Sequence, residues 1–288
     1  MTTFGVIGVG SIASAIVTGL CEGLAEPPRV VLSPRGAVRS RDLAERMPSV
    51  RVASSNQGVV DDSDVVIVAV LPQQAEDVLG QLAFRAYQAV VSAVAGVSLA
   101  VLRRVVAPVT EVARGIPMPA VAHRTSATPV FPATAAARDL FDRLGGCVVV
   151  AEESAFDAVA AASATVAAHC RYLEAIARWL SAHGVRGPEA RQYVASIFRE
   201  LSAELDVPEP DFDAMATAHS TPGGLNEQFA RHLAAAGAFA AVPTGLDAVL
   251  TRVTTPGPPA PLRPSTPRDY SGASETPRFT RGLDWRIA

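Results

Sequence analysis

The apolar residues in the first half of the chain fall in short runs that alternate with helical patterns. Runs rich in β-branched residues predict strands that are covered on both faces, because such strands show no polar alternation. Strands that alternate with helices imply right-handed crossovers, so we predict a parallel, doubly wound α/β sheet. The predicted strands are residues 4–7, 29–33, 50–53, 65–70, 89–94, 109–113 and 147–151.

The second half of the chain is patterned for helices alone. From residue 154 to residue 183 apolar side chains recur at spacings of three and four, which predicts one long helix. Further helices are predicted at 188–205, 212–218, 222–236 and 244–253.

These patterns divide the chain into three predicted segments. They are an α/β domain at 1–152, for which the turn described next predicts dinucleotide binding, an all-helical domain at 153–253, and a Pro-rich tail at 254–288. The tail is expected to be disordered, because its composition cannot bury a core. The helical segment is small and apolar, so we expect it to pack against a second copy in a homodimer or a larger homo-oligomer.

One turn in the first segment predicts a dinucleotide site. Residues 8–13, G-V-G-S-I-A, follow the first strand and open the first helix. Gly8 permits the tight bend, Gly10 lets a pyrophosphate approach the backbone, and Ala13 lets the helix lie close to the strand. The first N–H groups of the helix, at Ser11 and Ile12, would face the phosphates. Packing alone can also produce a glycine-rich turn, and this alternative stays open.

The residues after the second strand favour NADPH over NADH. An NAD site usually has an acidic residue there for the ribose 2′-hydroxyl. This chain has Ser33 and Arg35, which can both donate to a 2′-phosphate, although a solvated arginine loop is the alternative interpretation. The other expected cofactor contacts lie after the third, fourth and fifth strands, at Asn56, Ala69, Val70, Pro72, Ala95 and Gly96.

A second candidate site lies at residues 220–226, S-T-P-G-G-L-N. Thr221 is a good N-cap and Pro222 a good first helical residue, so we predict a helix that begins at Pro222. Gly223 and Gly224 would then leave bare N–H groups at the helix mouth, an arrangement that binds anions. Close crossing of two helices is the alternative reason for the glycines.

Composition and charge narrow the chemistry. All 25 basic residues are arginine, which excludes a lysine amine as nucleophile or proton donor. The three cysteines lack ligand spacing and predict neither a disulfide framework nor a metal site. A net charge of -3 without a basic run argues against nucleic acid as a partner. With no apolar stretch of membrane length and no room for a signal segment, we expect a cytoplasmic protein without a membrane partner.

Several stretches, in order and spacing, resemble the pyrroline-5-carboxylate reductase family. They are residues 4–20, Asn56, 68–73, 93–97, 114–119, 156–168 and 220–224. The resemblance covers the chain from its start to about residue 253. It implies a Rossmann domain and a helical domain that interlocks with a second subunit. It also implies hydride transfer from NAD(P)H to a cyclic imine at the domain and subunit interface.

The substrate side departs from the family pattern. The family's S-G-S-G-P-A-Y stands here as S-A-T-V-A-A-H at 163–169, and its T-S-P-G-G-T-T as S-T-P-G-G-L-N at 220–226. Leu225 therefore replaces the threonine that the resemblance implies as proton donor, and Met118 stands where the family's M-P-N-x-P has asparagine. Since the polar partners differ, we expect a different imine. The substrate contacts that the resemblance implies are Ser163, Thr165, Ser220, Thr221, Gly223 and Gly224.

Several groups remain candidates for the donor that protonates the imine. Asn226 can donate a hydrogen bond but no proton at neutral pH, and Glu227 would need a pKa raised by burial. His169 and His219 are further candidates, because an unperturbed imidazole can give up a proton near neutral pH, and solvent water is another alternative. We expect an NADPH-dependent imine reductase acting on a relative of pyrroline-5-carboxylate. A true pyrroline-5-carboxylate reductase of proline biosynthesis and a non-catalytic nucleotide-binding protein are the alternatives.

Overall fold

A computed structural model describes residues 2–255 of the chain, which lie within one compact unit, Met1–Pro256. Its strands are β1 (Thr3–Ile7), β2 (Arg29–Leu32), β3 (Val50–Val52), β4 (Val65–Val68), β5 (Ala89–Ser92), β6 (Glu111–Gly115), β7 (Thr128–Phe131) and β8 (Cys147–Val149). The first six helices are α1 (Ser11–Cys21), α2 (Ala37–Arg46), α3 (Asn56–Asp61), α4 (Ala75–Leu79), α5 (Leu99–Val105) and α6 (Ala135–Asp142). The predicted tail lies outside the described residues except for Thr254 and Thr255.

The eight strands form one sheet in the order β3-β2-β1-β4-β5-β6-β7-β8. Every neighbouring pair is parallel except β6 and β7, where Arg114 lies opposite Phe131 in an antiparallel register. The predicted α/β class is confirmed, but the prediction of a wholly parallel sheet is wrong and strand β7 was missed. Pro129 lies inside this strand, and a proline within an apolar run argues against a strand.

Both faces of the sheet are covered by apolar side chains. Successive residues of β1 alternate between two cores: Val6 packs with α1 and α6 on one face, and Ile7 packs with α3, α4 and α5 on the other. Burial of each such side chain stabilises the fold by about 1.5–3 kcal/mol. This two-sided burial explains why the central strands read as unbroken apolar runs.

After β8 the described chain contains helices and their connecting loops but no further strand. The helices are α7 (Glu153–Ala162), α8 (Thr165–Ala182), α9 (Gly187–Glu204), α10 (Phe212–Ala218), α11 (Leu225–Ala235) and α12 (Ala241–Thr254). Helix α7 packs against α12 and β7, and α8 packs against α9 around Ala177, Ala190 and Val194. None of the described helices combines the length and hydropathy that crossing a membrane requires.

The single helix predicted at 154–183 is two helices in the structure. The break falls at Ser163 and Ala164, between α7 and α8. Ser163 donates its hydroxyl to the Ala160 carbonyl at 2.7 Å, and Thr165 donates to the Ala162 carbonyl at 2.8 Å. Hydroxyls that bond to nearby carbonyls compete with the helical ladder, which accounts for the break. The apolar period continues across it, so the sequence pattern did not reveal it.

Candidate cofactor and substrate site

The two glycines of the first turn have different structural reasons. Gly8 has φ +89°, and a Cβ there would lie 2.8 Å from the Ala69 carbonyl oxygen. Both the conformation and the close approach of the loop after β4 therefore require glycine. A Cβ on Gly10 would meet nothing within 4 Å. Packing within the described chain therefore explains Gly8 but leaves Gly10 facing open space.

The open space at Gly10 lies at the N-terminal end of α1. Gly10 is the N-cap of this helix, no side chain caps it, and the first turn contains no acidic residue. Ala13 is fully buried against the sheet, as predicted. Bare N–H groups and the positive end of the helix dipole favour a phosphate, so this end of α1 fits the pyrophosphate of a dinucleotide.

The residues after β2 separate into a structural serine and an exposed arginine. Ser33 is fully buried, and its hydroxyl accepts the Gly8 N–H at 3.1 Å. Because the Ser33 side chain is fully buried, the structure gives a 2′-phosphate no access to its hydroxyl, and the predicted contact would require the loop after β2 to move. Arg35, which is exposed, is therefore the residue after β2 that is positioned to meet such a group.

Arg35 and Asn56 come together in one groove, although 21 residues separate them. The groove has a volume of about 630 Å³ and lies between the loop after β2, the start of α3 and helix α4. Its size suits part of a dinucleotide rather than a single ion. Gln74, Asp77 and Gln81 also line it and were not predicted, because isolated polar residues on a short helix give no distinctive sequence signal.

The remaining predicted cofactor residues follow the ends of adjacent strands. Ala69 and Val70 come after β4, and the Ala69 N–H donates to the Ile7 carbonyl at 2.9 Å. Pro72 begins a 3-10 turn, and Ala95 and Gly96 lie in the loop after β5. Strands β1, β4 and β5 are neighbours, so these loops share the carboxyl edge of the sheet, where open α/β sheets bind ligands.

The turn at residues 220–226 differs from its prediction. Helix α11 begins at Leu225 with Gly224 as its N-cap, not at Pro222 with Thr221 as its N-cap. The Gly224 N–H donates to the Thr221 carbonyl at 2.7 Å, which closes a separate turn before the helix. Gly223 has φ +72° in that turn, so its glycine is required by the backbone conformation.

Glu227 folds back onto this turn. Its carboxylate accepts the Gly223 N–H at 2.6 Å and pairs with Arg231 at 2.7 Å. These contacts lower the pKa of the Glu227 carboxyl below its ordinary value, the Gly223 N–H having the larger effect and Arg231 the smaller. A proton donor would need a raised pKa, so this direction argues against Glu227 as a donor. The contact itself contradicts the prediction that the Gly223 N–H is bare.

The other candidate donors are exposed. His169 sits on α8 and packs edge-on against Phe198, with 5.6 Å between ring centroids. The Nε2 atom of His219 lies 2.9 Å from a Glu204 carboxylate oxygen, and Asn226 donates its amide to the His219 carbonyl at 2.8 Å. Neither α10 nor α11 packs extensively on a strand of the sheet.

The predicted substrate residues on the two helical stretches are not joined within one chain. Ser163 and Thr165 bond to their own preceding turn, as described above. Thr221 and Gly223 are exposed, whereas Ser220 and Gly224 are half-buried. Among residues 2–255, no group of three potential metal ligands comes together.

Comparison with known proteins shows which protein families the chain resembles. Residues 3–96 match the family model described as NADP oxidoreductase, coenzyme F420-dependent. The pyrroline-5-carboxylate reductase of Corynebacterium melassecola is 31% identical, but the match covers only 41% of this chain and 46% of that enzyme. The pyrroline-5-carboxylate reductase of Mycobacterium leprae is 28% identical over 88% of this chain and 96% of that enzyme.

A solved structure resembles the chain over nearly all of its described length. It is the 1-pyrroline-5-carboxylate reductase of Streptococcus pyogenes, with a TM-score of 0.76 and 26% identity. The match covers 88% of this chain and 98% of that one, so it includes the sheet and the helices that follow it. The fold is thus that of NAD(P)-dependent oxidoreductases, and the chain is similar to pyrroline-5-carboxylate reductases in sequence and in fold.

Proposed function

We propose that the protein is an NADPH-dependent oxidoreductase that reduces the C=N bond of a cyclic imine related to pyrroline-5-carboxylate. The observation that carries the proposal is the open space at Gly10, which adjoins the uncapped end of α1 at the carboxyl edge of the sheet. Space that no part of the described chain fills, next to unpaired N–H groups, fits a bound pyrophosphate. The similarity to pyrroline-5-carboxylate reductases supports an imine as the second reactant.

NADPH is the proposed cofactor because of Arg35. Its guanidinium can make a charge-assisted contact with a 2′-phosphate, and the loop after β2 contains no acidic residue for a 2′-hydroxyl. NADPH supplies the hydride when bound. The proposed binding residues are Gly8, Gly10, Ser11, Ile12, Ala13, Arg35, Asn56, Ala69, Val70, Pro72, Ala95 and Gly96.

The turn at 220–226 supports a substrate that differs from pyrroline-5-carboxylate. Leu225 is 84% exposed and presents an apolar side chain where the resemblance implies a donor hydroxyl. The Glu227 carboxylate already occupies the Gly223 N–H, so the carboxylate of a substrate at this position would meet like charge. We propose that protonation of the imine comes from solvent or a histidine, since Leu225 and Glu227 cannot supply it.

We also propose that the active unit is at least a homodimer. Large apolar side chains in the helical part are exposed in the single chain, among them Phe212 at 67% and Trp179 at 60%. Such an apolar surface is typical of a subunit interface. Neither α10 nor α11, which flank the 220–226 turn, packs extensively on a strand of the sheet within the chain, and we propose that a second copy brings the turn and the sheet edge together.

The test is oxidation of NADPH by the purified protein with a panel of cyclic imines. The panel pairs 1-pyrroline with 1-pyrroline-5-carboxylate, and 1-piperideine with 1-piperideine-2-carboxylate. We expect turnover with at least one of these imines other than 1-pyrroline-5-carboxylate. Fastest turnover of 1-pyrroline-5-carboxylate would favour the true pyrroline-5-carboxylate reductase. Tight NADPH binding without oxidation by any imine would favour the non-catalytic alternative.

A further inference from the structure

A buried charged cluster links the sheet to the first helix of the helical part. Arg114, near the end of β6, has a side chain only 2% exposed. Its Nη1 atom donates to a Glu153 carboxylate oxygen at 2.7 Å, and its Nη2 atom donates to Asp157 at 2.7 Å. The guanidinium carbon also lies 4.6 Å from the centroid of the Phe156 ring. The three partners lie on the first turns of α7.

The same Glu153 oxygen has a second donor. It accepts the Leu99 N–H at 2.7 Å, and Leu99 is the first residue of α5. The loop that leads into α5 contains Ala95 and Gly96, two of the proposed cofactor residues. Glu153 lies at the start of α7, and one of its carboxylate oxygens contacts both Arg114 on β6 and Leu99 at the start of α5. It therefore connects α7 with the sheet and with the end of the loop that follows β5.

The energetic balance of the cluster indicates a role beyond stability. Burying a guanidinium is costly, and an apolar residue of similar volume would stabilise this position at least as well. The Glu153 carboxylate, held by Arg114, gives the start of α5 a defined position relative to α7. Among residues 2–255, Asp157 pairs with Arg114 alone, whereas Glu153 accepts from both Arg114 and the Leu99 N–H.

We infer that Glu153, held in place by Arg114, is a positioning residue that fixes the loop at residues 93–98 and with it the reactive end of the bound cofactor. This inference rests on the proposed function, since it takes residues 95 and 96 as cofactor contacts. Loss of the Leu99 contact lets the loop move. A displacement of the reacting atoms by about 1 Å can lower the rate of the chemical step about a hundredfold.

The experiment compares two matched pairs of variants. Glu153→Ala removes the acceptor, and Glu153→Gln retains an oxygen that can accept from both Leu99 and Arg114. Leu99→Pro and Leu99→Ala both remove the leucine side chain. The proline variant also lacks the backbone N–H that donates to Glu153, so the comparison of the two reports the loss of that donor. Proline is tolerated at the first position of a helix, and Ser98, at φ -69° and ψ 157°, already has the conformation that a following proline requires.

The primary measurement is the fluorescence of bound NADPH, which reports the surroundings of the nicotinamide without turnover. We expect Glu153→Ala and Leu99→Pro to shift this emission and to lower kcat with the best imine of the panel about ten- to a hundredfold. Glu153→Gln and Leu99→Ala should stay near the wild-type emission. The dissociation constant of NADPH should change less than threefold in all four, because its phosphate contacts are untouched.

A purely structural role would give a different pattern. The changes in NADPH emission and in kcat would then follow the loss in Tm. Leu99→Pro and Leu99→Ala variants of equal Tm would have the same emission and the same kcat, and this result would overturn the inference. If Glu153→Ala does not fold, the Leu99 pair alone decides. An emission shift in a protein that reduces no imine would support the positioning role while the proposed reaction fails, so the two failures are distinguishable.

Discussion

Gly8 and Gly10 show how two identical residues in one motif serve different purposes. Gly8 is required by a positive φ and by the close approach of the Ala69 carbonyl. Gly10 has φ -93°, which any residue adopts, and faces open space. The sequence motif predicted both glycines but could not distinguish the purposes, because φ and the path of the loop after β4 are set by tertiary contacts.

The first prediction is a contrast between these glycines. Gly10→Ala should change the free energy of unfolding by less than about 1 kcal/mol. It should raise the dissociation constant of NADPH about ten- to a hundredfold, because the methyl group takes space proposed for the pyrophosphate. Gly8→Ala should cost about 1–3 kcal/mol of stability through backbone strain and the close contact. Thermal unfolding and fluorescence titration check both; unchanged affinity in Gly10→Ala would contradict the proposed site.

The second prediction concerns cofactor choice at Arg35. Arg35→Ala should raise the dissociation constant of NADPH about ten- to a hundredfold, equivalent to about 1.5–3 kcal/mol for one charge-assisted contact. Affinity for NADH should not change, since NADH has no 2′-phosphate. Arg39→Ala, which removes an exposed arginine on α2, is the matched control. Equal losses for NADPH and NADH would show that Arg35 does not recognise the 2′-phosphate.

At the scale of elements, the regular parts of the fold were predictable and the exceptions have physical causes. Short apolar runs predicted seven of the eight strands to within a few residues. Burial on both faces explains the runs in the central strands β1, β4 and β5, whereas β3 and β8 are partly exposed. Strand β7 was missed because Pro129 interrupts it. The start of α11 was predicted three residues early, because the left-handed Gly223 and the Gly224 to Thr221 bond form a turn that local capping preferences do not reveal.

The chemistry of the candidate site was only partly predictable for a related reason. The cofactor turn is a local pattern and was found from the sequence. The cluster of Arg114 with Glu153 and Asp157 joins residues 39 and 43 positions apart, and no local pattern marks such pairs. Glu227 was named as a candidate donor, but its contact with the backbone of Gly223 was not predicted, because that contact depends on the turn geometry.

The third prediction is a pH dependence at the start of α11. The native pKa of Glu227 is lowered, so its carboxylate contributes stability above the ordinary glutamate pKa of about 4.3. That contribution is lost as pH falls through the lower native pKa. The difference in Tm between wild type and Glu227→Gln should therefore be present at pH 7 and shrink below about pH 4. A difference that does not depend on pH would exclude the ionised contact as its cause.

At the scale of the whole molecule, the apolar surface of the helical part predicts self-association. Light scattering at micromolar concentration should give at least twice the monomer mass. Phe212→Asp places a charge on this exposed apolar surface and should weaken association. The control is Tyr87→Asp, which places the same charge at an exposed tyrosine just before β5. A wild-type monomer that reduces imines at a normal rate would contradict the proposed dimeric unit.

A site shared between two chains, with the 220–226 turn of one beside the sheet edge of the other, has a consequence for mixtures of variants. If each site takes its sheet edge from one chain and its turn from another, two inactive proteins can repair each other. A variant damaged at Gly10 and a variant damaged in the turn, refolded together in equal amounts, form mixed dimers in which one of the two sites is intact. Random pairing makes half of the dimers mixed, so about a quarter of the wild-type activity should return from two inactive parents.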